Sequence, residues 1–109
     1  MLLTYELTAD FPKEELFGLR TQLRRTAVDI AGFIAEGCGK PGDDEFAKCV
    51  GAALGLANRI EYYALVALDL NLLPREKHEL LNARMVEVSK MLGSFLKILR
   101  QNGRNSIDN

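Results

Sequence analysis

The hydrophobic positions of the chain recur with helical spacing in three long stretches. In the first stretch they lie three or four residues apart, which places them on one face of a helix. They are Leu16, Leu19, Leu23, Ala27, Ile30 and Ile34. Pro12 suits the first turn of such a helix and Gly37 suits its end. The pattern predicts a helix over about residues 13–36.

The apolar residues of the second stretch alternate strictly between spacings of four and three. They are Phe46, Val50, Ala53, Ala57, Ile60, Ala64 and Ala67. This alternation is typical of helices that pack in left-handed bundles. Asp43 is a suitable N-cap, and the pattern stops near Asn71. We therefore predict a helix over about residues 43–70.

Pro74 opens the third stretch, whose apolar residues again lie three or four positions apart. They are Leu81, Met85, Val88, Leu92, Phe95 and Leu99. A helix over about 74–102 is predicted, followed by a flexible polar tail at 104–109. Ahead of the long stretches, residues 2–9 predict a short helix of one or two turns.

The predicted loops between the long helices are short, which requires neighbouring helices to run antiparallel. The sequence therefore predicts an all-α fold, an antiparallel up-down four-helix bundle with a shortened first helix. At 109 residues the chain has room for one hydrophobic core. We expect a single domain over residues 1–103.

The second long helix is apolar well beyond its core-facing positions. Such a helix needs cover on several sides, and a bundle this small covers one side well. Further copies of the chain could supply the missing cover, which predicts a non-enzymatic homo-oligomer that serves as an assembly or scaffold module. The predicted subunit interface consists of Ala52, Leu56, Arg59, Tyr63 and Val66. The alternative is that these residues pack inside the monomer.

Composition and charge narrow the possible functions. Apolar residues make up 48% and charged residues 27%, which fits a globular chain. The net charge of -1 gives no overall attraction to nucleic acid or anionic lipid. No apolar run is long enough to cross a bilayer, no secretory signal precedes the helices, and Cys38 and Cys49 have neither disulfide nor zinc-site spacing. We expect a cytoplasmic protein without a membrane partner.

Two groups of cations could each follow a phosphate backbone along one helical face. The first group is Lys13, Arg20, Arg24 and Arg25 on the second helix, and the second group includes Lys97 and Arg100 on the last helix. They make RNA or nucleoprotein binding the alternative function. The simpler interpretation is a solvated face with cations near a helix C-terminus.

The sequence offers no arrangement typical of catalysis. His78 is the only histidine, no Glu-x-x-His pair occurs, and no nucleophile has a base at a suitable spacing. We predict that the chain is not an enzyme and that it has no cofactor, no metal and no small-molecule substrate.

Glu36 lies near the C-terminal end of its predicted helix, where the helix dipole disfavours negative charge. It should therefore have a cationic partner, for which Arg24, Arg25 and Arg59 are candidates. The pair of Glu36 with Arg59 is the predicted structural contact.

A set of short motifs runs along nearly the whole chain, from about Leu3 to Arg100. The motifs are Phe11-Pro12-Lys13-Glu14-Glu15-Leu16, Leu19, Gln22-Leu23-Arg24-Arg25 with Ala27-Val28, Ile34-Ala35-Glu36-Gly37, Glu45-Phe46, Ala53-Leu54-Gly55, and Glu61 with Ala67-Leu68-Asp69-Leu70. In these motifs the chain resembles the 23S rRNA intervening-sequence protein family. The segment of residues 34–37 is the most specific part.

The resemblance implies an up-down four-helix bundle, a homopentamer and no known catalytic activity. A related branch of proteins, the accessory proteins of diversity-generating retroelements, binds a reverse transcriptase and nucleic acid, so RNA or a nucleic-acid enzyme is a further expected partner. The family's first helix normally begins further upstream, so the resemblance implies that the short helix predicted over residues 2–9 is a shortened form of it. The chain departs from the family at Phe33, where Asn is usual, and at Arg59, where Glu is frequent.

Overall fold

The computed structural model describes residues 1–8 and 18–108, with side chains described as far as residue 102. Its elements are α1 (Leu2–Thr8), α2 (Leu19–Cys38), α3 (Asp43–Asp69) and α4 (Arg75–Asp108). These described residues contain four helices and no strand, so the predicted all-α four-helix class is confirmed. The predicted start of the second helix near residue 13 lies outside the described residues.

The boundary between α2 and α3 differs in detail from the sequence prediction. α2 ends at Cys38, where the backbone N–H of Gly39 donates to the carbonyl of Glu36. Gly37 therefore lies inside the helix and does not end it. α3 begins after Gly42, whose φ of 153° is one that side chains disfavour. Asp43 is the first helical residue and not the N-cap, and its charge lies near the positive end of the helix dipole.

A residue in the left-handed conformation closes α3. Asn71 has a φ of 59°, and the backbone N–H groups of Leu72 and Leu73 both donate to the carbonyl of Ala67. Asn tolerates this conformation better than most residues, which explains why the helix stops here. Pro74 comes directly after Leu73, and α4 begins at the next residue, Arg75.

α4 is longer than the sequence pattern predicts. The pattern ends near residue 102 and predicts a flexible tail over 104–109, but the helix continues to Asp108. A glycine inside a helix costs only about 1 kcal/mol, so Gly103 alone does not stop it. No proline follows that would.

α3 is the central helix, because α2 and α4 both pack against it. A Cβ atom placed on Gly51 would lie 4.0 Å from Cδ2 of Leu96. The Ser89 hydroxyl donates to the side-chain oxygen of Asn58 at 3.5 Å. Residue numbers thus fall along α4 as they rise along α3, so these two helices are antiparallel. The up-down order of all four helices stays a prediction.

The core-facing stripe of α3 lies where the sequence places it. Phe46 at its start is half-buried. The other residues of this stripe are buried, namely Val50, Ala53, Ala57, Ile60, Ala64 and Ala67. On α4, the predicted core residues Leu81, Met85, Leu92 and Leu99 are buried and Val88 is half-buried. The pattern also predicts Phe95 in the core. It is exposed, and Leu96 is buried instead.

The short helix α1 covers only one end of the bundle. It packs against α2 and α4, and Leu7 joins a core cluster with Leu23, Ile60 and Leu81. The second core cluster, around Val50, contains no α1 residue. Within the described part of the chain, no helix combines the length and the hydropathy needed to span a bilayer.

Candidate subunit interface

The predicted interface residues form one line along α3. Ala52, Leu56, Arg59, Tyr63 and Val66 follow one another at spacings of four and three, so they lie on the same side of the helix. We term these five residues the α3 stripe. Arg59 is exposed and the other four are half-buried. Their own chain therefore covers them only in part.

The α3 stripe borders α2. A Cβ atom on Gly37 of α2 would lie 3.0 Å from Cβ of Cys49, which fixes the side of α3 that faces α2. Leu56 and Tyr63 follow Cys49 at intervals of seven residues and lie on the same side. The inner edge of the stripe thus packs near α2, and its outer edge is open.

A second line of apolar side chains, on α4, was missed at the sequence level. Leu80 is 46% exposed, Met91 67%, Phe95 37% and Ile98 53%. Arg84 and Glu87, which are also exposed, lie on the same line, and the six residues together follow spacings of three and four. We term these six residues the α4 stripe. This second periodic pattern beside the core pattern is the signal that could have revealed it.

Arg24 is not part of a free basic face. Its Nε donates to the Thr8 hydroxyl at 3.0 Å, and its Nη2 donates to the carbonyl of Tyr5 at 3.0 Å. The guanidinium also lies 4.5 Å from the centre of the Tyr5 ring. These three contacts hold α1 against α2, so Arg24 is engaged within the chain, and a nucleic-acid contact there stays a prediction.

The other predicted cations are divided between packing and surface. Arg20 is half-buried, and its buried Nε has no hydrogen-bond partner among the described residues. Arg25 is exposed, and Lys13 lies outside the described residues. The basic group on α2 is therefore not a continuous row along the described part of that helix.

The basic group on α4 does form a shared surface. Lys97 and Arg100 are exposed and line one groove of about 230 Å³ with Gly93, Leu96 and Gln101. Arg100 also lines a neighbouring groove of about 570 Å³ that contains Asp44, Glu45 and Lys48. The Lys48 ammonium pairs with the Glu45 carboxylate at 3.2 Å. The surface is thus basic around Lys97 and mixed in charge towards α3.

Glu36 pairs with Lys40 and not with Arg59. The distance between its Oε1 and the Lys40 Nζ is 3.7 Å. The end of α2 packs against α3 at Cys49, and a helix rises about 1.5 Å per residue, so Arg59 lies roughly 15 Å further along α3. The predicted pair is therefore wrong within one chain, and a lysine four residues away replaces it.

In the part of the chain that the structure describes, no side chains meet in an arrangement typical of catalysis or metal binding. His78 is half-buried in the first turn of α4, Cys38 is exposed and Cys49 is buried, both as free thiols. Among the residues described, no three His, Cys, Asp or Glu side chains are grouped so that they could hold a metal ion. The most developed surface features are the two apolar stripes.

The family model described as 23S rRNA-intervening sequence protein matches residues 1–94. No curated protein matches the chain.

Proposed function

Because the chain belongs to the 23S rRNA-intervening sequence protein family, we propose that it is a non-catalytic, homo-oligomeric bundle that serves as an assembly or scaffold module. The observation that carries this proposal is the α3 stripe, whose apolar side chains are only half covered by their own chain. Covering them between copies would stabilise an assembly by about 25 cal/mol per Å² of apolar surface. By family resemblance, the proposed assembly is a pentamer.

The charge and the thiols of the chain are compatible with this proposal. A net charge of -1 per chain causes little repulsion between copies. Cys38 and Cys49 are free thiols, as expected in a reducing cytoplasm, which is the proposed location.

Leu56→Glu tests the proposed self-assembly. A charge in the α3 stripe should convert the oligomer to a monomer of about 12.1 kDa by native mass spectrometry. Helical content by circular dichroism should persist, because Leu56 is only half-buried. Leu65→Glu is the matched control, since Leu65 is 48% exposed on the same helix but outside the stripe. A wild-type protein that is monomeric at micromolar concentration would refute the proposal.

RNA binding is a second candidate function, supported by the groove that Lys97 and Arg100 share. Affinity for structured RNA should then fall with salt by about one power of concentration per phosphate contacted. Lys97→Ala and Arg100→Ala should each weaken binding and reduce the salt dependence. Arg75→Ala, at the other end of α4, is the control. Absence of any gel shift at low salt would exclude this candidate.

A further inference from the structure

The α3 stripe and the α4 stripe lie on opposite flanks of the bundle. The α3 stripe borders α2, as the contact between Gly37 and Cys49 shows. The α4 stripe borders α1, because Leu80 and Arg84 line a cavity of about 370 Å³ with Met1 and other residues. Since α2 and α4 flank α3 while α1 lies between α2 and α4, the two borders face away from each other.

The two stripes also lie at the same height along the bundle. Gly51 is level with Leu96, and Asn58 is level with Ser89. Both helices rise by about 1.5 Å per residue in opposite directions, so one step up α3 matches one step down α4. To within one residue, this gives the level pairs Ala52 with Phe95, Leu56 with Met91, Arg59 with Glu87, Tyr63 with Arg84, and Val66 with Leu80.

The apolar level pairs include one of a small with a large side chain. The Phe95 ring packs edge-on against Phe46 of its own chain, with ring centroids 5.2 Å apart, and its 37% exposed part is level with the small Ala52. Leu56 and Met91 are both flexible apolar side chains, and Met91 is the most exposed apolar residue of the α4 stripe. Small side chains opposite large ones are what close helix packing requires.

The polar level pairs are complementary in charge. Arg59 and Glu87 are both exposed and carry opposite charges. Arg84 is level with Tyr63, and packing these two side chains together across the contact would give a cation–π interaction. Like charges are not level with one another at any of the five heights.

We propose that the α3 stripe of one copy packs, antiparallel and at equal height, along the α4 stripe of the next copy. This inference rests on the proposed self-assembly and specifies its geometry. Each copy would bind one neighbour through its α2–α3 flank and another through its α1–α4 flank. Such a head-to-tail contact generates a ring when the rotation between copies closes. A two-fold contact would instead pair identical stripes.

Mixing two assembly-deficient variants tests the head-to-tail contact. Leu56→Glu and Met91→Glu should each be monomeric, because each loses one of the two complementary stripes. Their mixture should give a one-to-one heterodimer of twice the monomer mass in native mass spectrometry. In that heterodimer the intact α3 stripe of Met91→Glu binds the intact α4 stripe of Leu56→Glu. Leu65→Glu, mixed with either variant, serves as the control that retains both stripes.

Cross-linking tests the register. The variants are made in a Cys38→Ser background. The double variant Leu56→Cys, Met91→Cys should give disulfide-linked multimers under mild oxidation. The combination of Leu56→Cys with Leu65→Cys is the control and should give none.

The outcomes separate this inference from the proposed self-assembly. A monomeric wild-type protein would refute both. If the wild type is oligomeric and the Met91→Glu variant still assembles, only the head-to-tail contact is refuted. The same holds if the wild type is oligomeric and the mixture of the two variants gives no heterodimer. Cross-linking without preference for the Leu56 and Met91 pair would refute the register.

Discussion

Gly37 shows how a single residue can be fixed by packing between helices. It is buried inside α2, and a Cβ atom there would lie 2.7 Å from Cδ1 of Phe46 and 3.0 Å from Cβ of Cys49. Only a residue without a side chain allows α2 and α3 to approach this closely. The glycine of the most specific family motif thus has a reason in helix packing, whereas its sequence position suggested a helix end.

Gly37→Ala should destabilise the fold by about 1–3 kcal/mol, because Phe46 and Cys49 would have to move. The measurement is the urea midpoint of unfolding at fixed protein concentration. Gly32→Ala on the same helix is the control, since nothing lies within 4 Å of its Cβ position. That control should be unchanged or more stable by up to about 1 kcal/mol. Equal midpoints for the two variants would contradict the close contact.

Residue-level contacts could be predicted from the sequence only where they are local. Lys40 follows Glu36 by four residues, a spacing that permits an ion pair on its own. The partners of Arg24 lie sixteen and nineteen residues away on α1. Helical periodicity groups Arg24 with other cations, but it does not show which face of α2 the short first helix covers.

At the scale of single elements, α1 depends on Arg24 for its position. Arg24→Met keeps the aliphatic stem but removes the hydrogen bonds to Thr8 and Tyr5 and the contact with the Tyr5 ring. We expect amide exchange in residues 2–8 to accelerate by about tenfold, since the lost contacts are worth roughly 1–2 kcal/mol. Exchange in α3 should be unchanged. Arg25→Met is the control, and equal exchange in both variants would contradict this role.

The core stripe of a helix was easier to predict than its second stripe. On α3 the alternation of four and three predicts the buried face, although the α3 stripe follows the same spacing. On α4, Phe95 and Leu96 lie three and four residues after Leu92, and both spacings fit one helical face. In the folded chain Leu96 is buried, whereas Phe95 is 37% exposed and packs edge-on against Phe46. Periodicity alone therefore placed Phe95 in the core and left the α4 stripe unrecognised.

At the scale of the whole molecule, exposed apolar surface links stability to concentration. If copies cover the two stripes, the assembled state is favoured by mass action, and a tenfold rise in protein concentration should stabilise each chain by about 1 kcal/mol. For a chain of this length that corresponds to a Tm increase of about 4–8 °C, measurable by scanning calorimetry between micromolar and higher concentrations. The Met91→Glu variant should melt at a lower temperature that is independent of concentration, because it has no assembled state to favour. A wild-type Tm that does not change with concentration would show that the half-covered α3 stripe and the exposed α4 stripe face solvent in the folded protein.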